Sequence, residues 1–535
     1  MVAFRSALMA SLLASSAAAL DPIIMKGTKF FTKSDGKQFY MKGVAYQQES
    51  GSGAGGQTTG TKYKDPLADE TSCKRDVPLL QKAGVNTIRT YAINPDADHD
   101  ACMKLLDDAG IYVIADLGEP ALSINRDSPS WNIKLFDRYK GVVDNLAQYD
   151  NVIGFFSGNE VTNNATNTDA SAFVKAATRD TKKYIADKQA KGGRWMGVGY
   201  AANDDADIRA NMAHYFNCGS EEEAIDYWGY NIYSWCGKSS FTQSGYDVQV
   251  DFFSNYSVPV FFAEYGCNSD GAEGRTWEDT TALYSDQMTG VFSGGIVYMY
   301  FQEANDYGLV EIENGKAVEM KNFKALASKL TKVDPTITEI DQYEPSNSAA
   351  PCPAVSDDWK VSEALPPTPD SSLCDCMYKS LSCVPGDDLE EEDFGEIFGY
   401  VCSQDEEACA GIKSDTASGI YGPYLMCNPK EQLGHILDAY YQNQNQASTA
   451  CDFDGAAKVV SNPSVDSTCE APLASASSAV KVAATATAGA ATSGTGSSNS
   501  DAENAGARIG SFMTMGAIGV YMLAAMGAGA AVVIF

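Results

Sequence analysis

The sequence contains little positive charge and very little histidine. Its 535 residues include 3 histidines, and 39 lysines and arginines stand against 70 aspartates and glutamates, which gives a net charge of −31. This charge argues against a nucleic-acid partner, because the phosphates would be repelled. His99, His214 and His435 lie away from the candidate site described below, so no Ser-His-Asp set and no histidine-rich metal site can be assembled. We expect no metal and no organic cofactor.

Both ends of the chain have the composition of targeting segments. Residues 1–20 combine one arginine, an apolar stretch and a run of small residues, which is typical of a secretory signal peptide. Residues 508–535 include an apolar segment long enough to span a bilayer, but no lysine or arginine follows it. Together with small residues upstream, this pattern predicts a glycosylphosphatidylinositol attachment signal, cleaved near Asn499 or Asn504. A tail-anchored helix is the alternative interpretation.

A secreted chain with 14 cysteines is expected to hold them in disulfides. Five are spread through the first part of the chain, one lies in a linker, and eight crowd together after it: Cys73, Cys102, Cys218, Cys236 and Cys267, then Cys352, then Cys374, Cys376, Cys383, Cys402, Cys409, Cys427, Cys451 and Cys469. Because five is odd, we expect Cys352 to pair with the first group. Zinc is the competing interpretation for Cys374 and Cys376, but one intervening residue is not a zinc-site spacing.

Short apolar runs alternate with amphipathic helical stretches through the first two thirds of the chain. Eight runs have the length and composition of buried strands: residues 39–46, 87–92, 111–117, 152–158, 195–201, 225–233, 259–266 and 294–301. Buried strands separated by helices indicate a parallel sheet, and eight such units predict an α/β fold, a (β/α)8 TIM barrel over residues 21–345. A doubly wound open sheet is the alternative, but the glycines after the first strand lack the spacing of a phosphate-binding turn.

Three segments separate the predicted barrel from the C-terminal signal. Residues 346–373 are rich in proline and are expected to form an extended linker. Residues 374–470 form a small module that disulfides hold together. Residues 471–507 are alanine, serine, threonine and glycine with almost no bulky side chains, which predicts a disordered stalk. Asn164 and Asn255 stand in N-glycosylation sequons.

Polar and aromatic residues follow most of the predicted strands, where a (β/α)8 barrel builds its active site. They include two glutamates, an aspartate, two amides and several tyrosines: Tyr46, Gln47, Tyr91, Asp116, Asn159, Glu160, Tyr233, Glu264, Tyr298 and Tyr300. Each one alone is more often a rim, loop or capping residue. Two carboxyl groups among aromatic side chains, however, are the catalytic groups with which most glycoside hydrolases break a glycosidic bond.

The fourth and seventh predicted strands supply this pair of carboxyl groups. Glu160 follows an apolar strand that favours its neutral form, as the acid/base catalyst requires, and Glu264 is the predicted nucleophile. Asn159 is expected to bind the sugar 2-hydroxyl and Tyr233 to orient Glu264. A retaining mechanism requires the two carboxyl groups to lie about 5–5.5 Å apart.

Several motifs resemble those of a known family. The barrel resembles the fungal β-1,3-glucanosyltransferases of glycoside hydrolase family 72 in "GNEVTNN" (residues 158–164), "YNIYSWCG" (230–237), "FFAEYGCN" (261–268) and "GGIVYMYFQEANDYGLV" (294–310). The cysteine-rich segment, with "CDCMYKSLSC" (374–383) and "GPYLMCN" (422–428), resembles the family 43 Cys-box carbohydrate-binding module that one branch of these enzymes carries. The Gly/Ser-rich insertion at residues 48–60 departs from the family pattern.

The resemblance implies an activity. It implies a cell-wall enzyme, anchored to the outer face of the plasma membrane, that cleaves β-1,3-glucan internally and transfers the new reducing end to the non-reducing end of an acceptor glucan. Glu160 would be its acid/base and Glu264 its nucleophile. A hydrolytic endo-β-1,3-glucanase and a non-catalytic wall glucan-binding protein are the alternatives.

The resemblance also implies further site residues and disulfides. The donor and acceptor subsites would be lined by Gln47, Tyr91, Asp116, Asn159, Tyr233 and Tyr298. The implied disulfides are Cys73–Cys102, Cys218–Cys352 and Cys236–Cys267.

Overall fold

A computed structural model of the chain describes residues 19–48, 63–269 and 271–486. The predicted signal peptide lies almost wholly outside these residues, as do most of the insertion at 48–60 and both candidate anchor sites, Asn499 and Asn504. None of the helices in the described part of the chain combines the length and the apolar composition needed to cross a membrane.

A small antiparallel sheet precedes the barrel and covers the N-terminal end of its strands. It consists of β1 (Ile23–Lys26), β2 (Lys29–Thr32) and β3 (Gln38–Phe39). Phe30 of β2 packs against the rings of Tyr227 and Phe261 inside the barrel, with ring centroids 5.8 and 6.1 Å apart. This end of the barrel is therefore filled by aromatic side chains.

Eight parallel strands close into a barrel in chain order, which confirms the predicted fold. They are β4 (Met41–Ala45), β5 (Thr87–Thr90), β6 (Tyr112–Asp116), β7 (Val152–Asn159), β8 (Gly197–Ala202), β9 (Trp228–Ile232), β10 (Val260–Tyr265) and β11 (Phe292–Val297). Alternate residues face opposite sides of each strand: on β10, Phe261 lies in the interior cluster and Phe262 packs against the surrounding helices. At Gly199 a Cβ atom would approach the Tyr227 ring to 2.2 Å, so only glycine fits beside this ring.

Helices surround the barrel. They are α1 (Glu70–Lys82), α2 (Asp100–Asp108), α3 (Ile133–Leu146), α4 (Ala170–Gln189), α5 (Arg209–Asn217), α6 (Tyr246–Phe253), α7 (Glu278–Leu283) and α8 (Lys321–Leu330), and the hairpin of β12 (Val310–Glu313) and β13 (Lys316–Glu319) precedes α8. Side-chain caps set where some helices begin: Asn132 accepts a hydrogen bond from the Leu135 amide at the start of α3.

The Cys-rich module follows the linker. Its elements are α9 (Ser371–Ser380), β14 (Cys383–Pro385), α10 (Phe394–Gln404), β15 (Ser414–Asp415), β16 (Ile420–Tyr421), α11 (Pro429–Asn443), β17 (Ala457–Val459) and α12 (Glu470–Thr485). The linker packs along the barrel, where Trp359 is fully buried in the main core. The amide of Ile133 also donates to the carbonyl of Met426 at 3.0 Å, so the module contacts the start of α3.

All 14 cysteines lie in disulfides, seven in number. The barrel and linker hold Cys73–Cys102, Cys218–Cys352 and Cys236–Cys267, and the module holds Cys374–Cys427, Cys376–Cys469, Cys383–Cys451 and Cys402–Cys409. The first three are the pairs that the resemblance implied. Because Cys374 and Cys376 are each joined to another cysteine, neither sulfur is a zinc ligand.

The predicted disordered stalk begins too early in the chain. Helix α12 occupies Glu470–Thr485, and the composition assigned all of it after Glu470 to the stalk. The Cys376–Cys469 disulfide fixes the start of this helix, alanine has the highest helix propensity, and the small side chains of Ala476 and Ala483 are buried. The ammonium of Lys413 donates to the carbonyls of Ala483 and Ala486 near the helix end, at 3.3 and 3.0 Å. Residues 487–507 lie outside the described residues.

Candidate active site

The carboxyl ends of the barrel strands meet at one opening, because all eight strands run parallel. The structure brings the predicted site residues there: Gln47 follows β4, Tyr91 follows β5, Asp116 ends β6, Asn159 ends β7 and Glu160 follows it, Tyr233 follows β9, Glu264 lies near the end of β10, and Tyr298 follows β11. Tyr46 and Tyr300 do not belong to this group. Their hydroxyls donate to the buried carboxylate of Asp76 on α1, each at 2.9 Å.

Glu264 is buried and hydrogen-bonded through both carboxylate oxygens. Its Oε1 accepts from the Tyr91 hydroxyl at 2.8 Å and from Nη1 of Arg89 at 3.2 Å, and its Oε2 accepts from the Tyr233 hydroxyl at 2.8 Å. Burial raises the pKa of Glu264 to about 7, the Arg89 charge opposes this shift, and the charge of Glu160 adds to it. Glu264 is thus a carboxyl group of fixed orientation whose ionisation depends on its neighbours.

Arg89 lies at the centre of the site, and sequence reasoning did not select it. Its side chain is fully buried and binds both carboxylate oxygens of Asp116, at 3.1 and 3.0 Å. Its Nη2 also donates to Oδ1 of Asn159 at 2.9 Å, and its guanidinium lies 4.4 Å from the centroid of the Tyr91 ring. Burial raises the pKa of Asp116, and the guanidinium partly offsets this effect. The sequence did offer one sign of this role, which is the presence of an arginine within a strand predicted to be buried. A buried charge requires partners of opposite sign, so such an arginine indicates nearby carboxylates.

Asn231 of β9 connects the remaining polar groups, and sequence reasoning also missed it. Its side-chain nitrogen donates to Oε1 of Glu160 at 2.8 Å and to Oδ1 of Asn159 at 3.0 Å. Since Asn159 also accepts from Arg89, which binds Glu264, a continuous hydrogen-bonded path joins Glu160 to Glu264.

The apolar environment that the sequence assigned to Glu160 belongs instead to Glu264. Glu160 is partly exposed, whereas Glu264 is only 5% exposed. The reason is their position: Glu160 stands one residue beyond the end of β7, in a left-handed backbone conformation with φ of 48°, while Glu264 lies within β10. Burial therefore acts mainly on the predicted nucleophile.

Gln47 and Tyr298 both lie beside Tyr91. Oε1 of Gln47 accepts hydrogen bonds from the amides of Tyr91 and Ala92, both at 3.1 Å, so this side chain holds the backbone that carries Tyr91. The ring of Tyr298 has its centroid 6.4 Å from that of Tyr91, 6.5 Å from that of Tyr233 and 5.3 Å from that of Tyr307. Four tyrosine rings therefore stand around the carboxylate of Glu264.

Three other residues that the sequence singled out take no part in this hydrogen-bonded network. His99 binds Asp65 and Asn145, at 2.8 and 2.6 Å, and its imidazole is buried beside α2. Asn164 and Asn255 are both exposed, as N-glycosylation requires.

Comparison with known proteins assigns this chain to a family. A family model described as "Glucanosyltransferase" matches residues 12–334, and a model of the X8 domain matches residues 381–458. The chain belongs to the glucanosyltransferases of glycoside hydrolase family 72.

Its relatives match over most of their length. The chain is 54% identical over 471 residues to a 1,3-beta-glucanosyltransferase of Arthroderma benhamiae, covering 85% of each chain. It is 43% identical over 475 residues to the 1,3-beta-glucanosyltransferase gas1 of Schizosaccharomyces pombe, covering 88% of this chain and 84% of the relative. Among solved structures it is similar to a mutant of Saccharomyces cerevisiae Gas2p in complex with laminaritetraose and laminaripentaose. The TM-score is 0.75 at 38% identity, and the match covers 86% of this chain and 99% of that one.

Proposed function

We propose that this protein is a retaining 1,3-β-glucanosyltransferase, with Glu160 as acid/base and Glu264 as nucleophile. It cleaves a β-1,3-glucan internally and joins the new reducing end to the non-reducing end of another glucan. The observation that carries the proposal is the hydrogen-bonded path from Glu160 to Glu264 through Asn231, Asn159 and Arg89, at the barrel opening of a glucanosyltransferase-family chain.

In the first step Glu264 attacks the anomeric carbon of the donor. The bond from this carbon to the glycosidic oxygen breaks, Glu160 gives its proton to the departing oxygen, and a glucosyl ester forms on Glu264. Glu264 must be ionised to attack. The positive charge of Arg89 and the hydroxyls of Tyr91 and Tyr233 stabilise this carboxylate once glucan has displaced water from the opening.

In the second step an acceptor hydroxyl replaces the departed fragment. Glu160, now ionised, takes the proton of the terminal 3-hydroxyl of the acceptor. The oxygen of this hydroxyl attacks the anomeric carbon, and the ester bond to Glu264 breaks. The configuration at the anomeric carbon is retained, because it has been inverted twice.

Transfer prevails over hydrolysis when the acceptor is held in place. The rings of Tyr233, Tyr298 and Tyr307 lie beside Glu264, with their centroids 5.3 to 6.5 Å from one another. Sugar rings pack against aromatic rings of this kind. An acceptor bound there reacts at a high effective concentration, which water cannot match once the opening is filled.

The test is incubation of the protein with a reduced laminari-oligosaccharide. Products longer than the starting oligosaccharide are expected. Only shorter products would establish a hydrolytic endo-β-1,3-glucanase, and binding without any product would establish a non-catalytic glucan binder. E160Q and E264Q are each expected to abolish elongation while the fold remains intact, and full activity in either variant would remove that residue from its assigned role.

The proposal extends to the location of the enzyme. A signal peptide at residues 1–20 would direct secretion, and a lipid attached at Asn499 or Asn504 would hold the enzyme at the outer face of the plasma membrane. We expect phosphatidylinositol-specific phospholipase C to release the protein from cell membranes. Retention in the membrane after this treatment would favour the tail-anchored helix instead.

A further inference from the structure

The backbone of Glu160 has a conformation that is unfavourable for a glutamate. Its φ angle is 48°, in the left-handed region that glycine tolerates and that is unfavourable for a residue with a Cβ. Such a conformation persists only when the surrounding structure holds it. For the proposed acid/base this matters directly, because the backbone of residue 160 sets where the carboxyl group points.

Three hydrogen bonds hold this residue, each through a different group. The amide of Glu160 donates to the carbonyl of Ala201 on β8 at 2.8 Å, and its carboxylate accepts from Asn231 as described above. The carbonyl oxygen of Glu160 accepts from Nη2 of Arg126 at 2.6 Å. Arg126 therefore holds the C-terminal side of the left-handed residue, where the Thr162 amide also donates to the Tyr200 hydroxyl at 3.3 Å.

The loop that carries Arg126 is itself held on both sides. It lies between β6 and α3. Before Arg126, Ile124 is buried in the barrel core. After it, Trp131 is buried, and the indole N–H of this residue donates to the carboxylate of Asp180 on α4 at 2.8 Å. Arg126 is partly exposed and forms no ion pair with any residue of the described ranges.

We propose that Arg126 is a positioning residue for the acid/base, and that its bond to the Glu160 carbonyl keeps the Glu160 carboxyl group directed at the glycosidic oxygen. This inference rests on the proposed function. A charged donor anchored on a fixed loop opposes relaxation of residue 160 into an ordinary right-handed or extended conformation. Without this donor the carboxyl group would still be present, but it would spend only part of its time in reach of the departing oxygen.

The chain offers a matched control for this arginine. Arg194 is also partly exposed, and its Nη2 donates to the carbonyl of Tyr149 at the same distance, 2.6 Å. Tyr149 precedes β7 and so lies at the N-terminal end of the barrel strands, far from the opening. R194A removes the same kind of bond without touching the site, together with the contacts of Arg194 to the Trp195 carbonyl at 3.2 Å and to the Asp150 carboxylate at 3.9 Å.

Two glycosyl donors, which differ in their need for a proton, distinguish a positioning role of Arg126 from general damage to the structure. Cleavage of an unactivated laminari-oligosaccharide needs the proton of Glu160, whereas the β-fluoride of a laminari-oligosaccharide has a leaving group that departs with little protonation. With R126A we expect kcat for the oligosaccharide to fall about 10- to 100-fold and formation of the glycosyl-enzyme from the fluoride to change less than about 3-fold. R126K, whose ammonium also donates a hydrogen bond, should recover much of the loss, and R194A should match the wild type with both donors.

Azide gives an independent readout. As an anion that needs no general base, it should attack the glycosyl-enzyme of R126A and of E160A and accelerate turnover of the fluoride, yielding the β-glycosyl azide. Equal losses with both donors in R126A, or wild-type activity on the oligosaccharide, would overturn the inference about Arg126. Failure of the wild-type protein to act on either donor would overturn the proposed function instead.

Discussion

Asn231 donates its side-chain amide to Oε1 of Glu160 at 2.8 Å, so the proposed acid/base is bound by β9, which is neither the strand before it nor the next strand after it in the chain. Asn231 lies in β9 and Glu160 follows β7. The same nitrogen donates to Asn159, which Arg89 also binds. A buried amide thus orients the acid/base and couples it to the charged centre of the site.

N231A should reduce catalysis more than it reduces stability. A hydrogen bond to a charged group contributes about 1.5–3 kcal/mol, so the loss of orientation should lower kcat for a laminari-oligosaccharide about 10- to 100-fold with little change in KM. Asn151 offers the control, because it is buried at the other end of β7 and donates to the carbonyls of Met103 and Ile111. N151A is expected to lower the melting temperature and to leave kcat near the wild-type value. Similar kcat losses in both variants would contradict a specific role for Asn231.

Y91F and Y233F should shift the pH profile of the enzyme. The free enzyme requires ionised Glu264, whose pKa is raised to about 7, so kcat/KM should fall as the pH drops below this value. Each hydroxyl stabilises the carboxylate, and its removal should raise the pKa of Glu264 further and move the acidic limb of kcat/KM to higher pH by roughly 0.5–1 unit. Y139F removes a buried hydroxyl that donates to the Ser157 carbonyl, and should leave the limb in place. A shift to lower pH would show that a different group controls this limb.

E264Q should be stabilised relative to the wild type, and the difference should depend on pH. The folded protein holds the pKa of Glu264 at about 7, above its ordinary value of 4.5, so between these values the unfolded state releases a proton that the folded state keeps. The wild type therefore loses stability as the pH rises through this window, by about 3 kcal/mol at most, and glutamine removes this dependence. Melting temperatures from pH 4.5 to 7.5 measure the difference. E311Q, at an exposed position of β12, should show no such trend, and a constant difference for E264Q would contradict the shift.

The module disulfides with the longest and the shortest sequence separation should differ in their contribution to stability. Cys376–Cys469 closes a sequence separation of 93 residues and Cys402–Cys409 one of 7. The chain-entropy relation gives about 4–5 kcal/mol for the first and about 2 kcal/mol for the second. The C376A/C469A double variant should therefore unfold at a lower temperature than C402A/C409A, and protease should cut α12 first. Equal melting temperatures would show that loop entropy does not govern this module.

The sequence predicted the barrel because its strands are nearly continuous apolar runs and its helices have an amphipathic period. It predicted the residues at the opening because parallel strands place their carboxyl ends together. Arg89 and Asn231 were missed because both lie inside strands. The sequence reveals neither residue's partners, which are 27 to 175 residues away from Arg89 and 71 or 72 away from Asn231.

Two further differences have physical reasons of the same kind. The predicted strands already placed Glu160 after residues 152–158 and Glu264 within residues 259–266, so burial was to be expected at Glu264. An apolar run before a residue does not bury the residue that follows it. Composition alone assigned α12 to the stalk, since alanine and serine bury little surface, but a disulfide at its first turn supplies order that composition does not register.

The aromatic plug formed by Phe30, Tyr227 and Phe261 closes the end of the barrel opposite Glu160. A polysaccharide therefore cannot pass through the barrel, and both the donor glucan and the acceptor glucan must reach Glu264 from the opening at the carboxyl ends of the strands. In a double displacement the acceptor oxygen attacks the anomeric carbon from the face that the departing oxygen has left, so the two chains must bind in turn and we expect ping-pong kinetics.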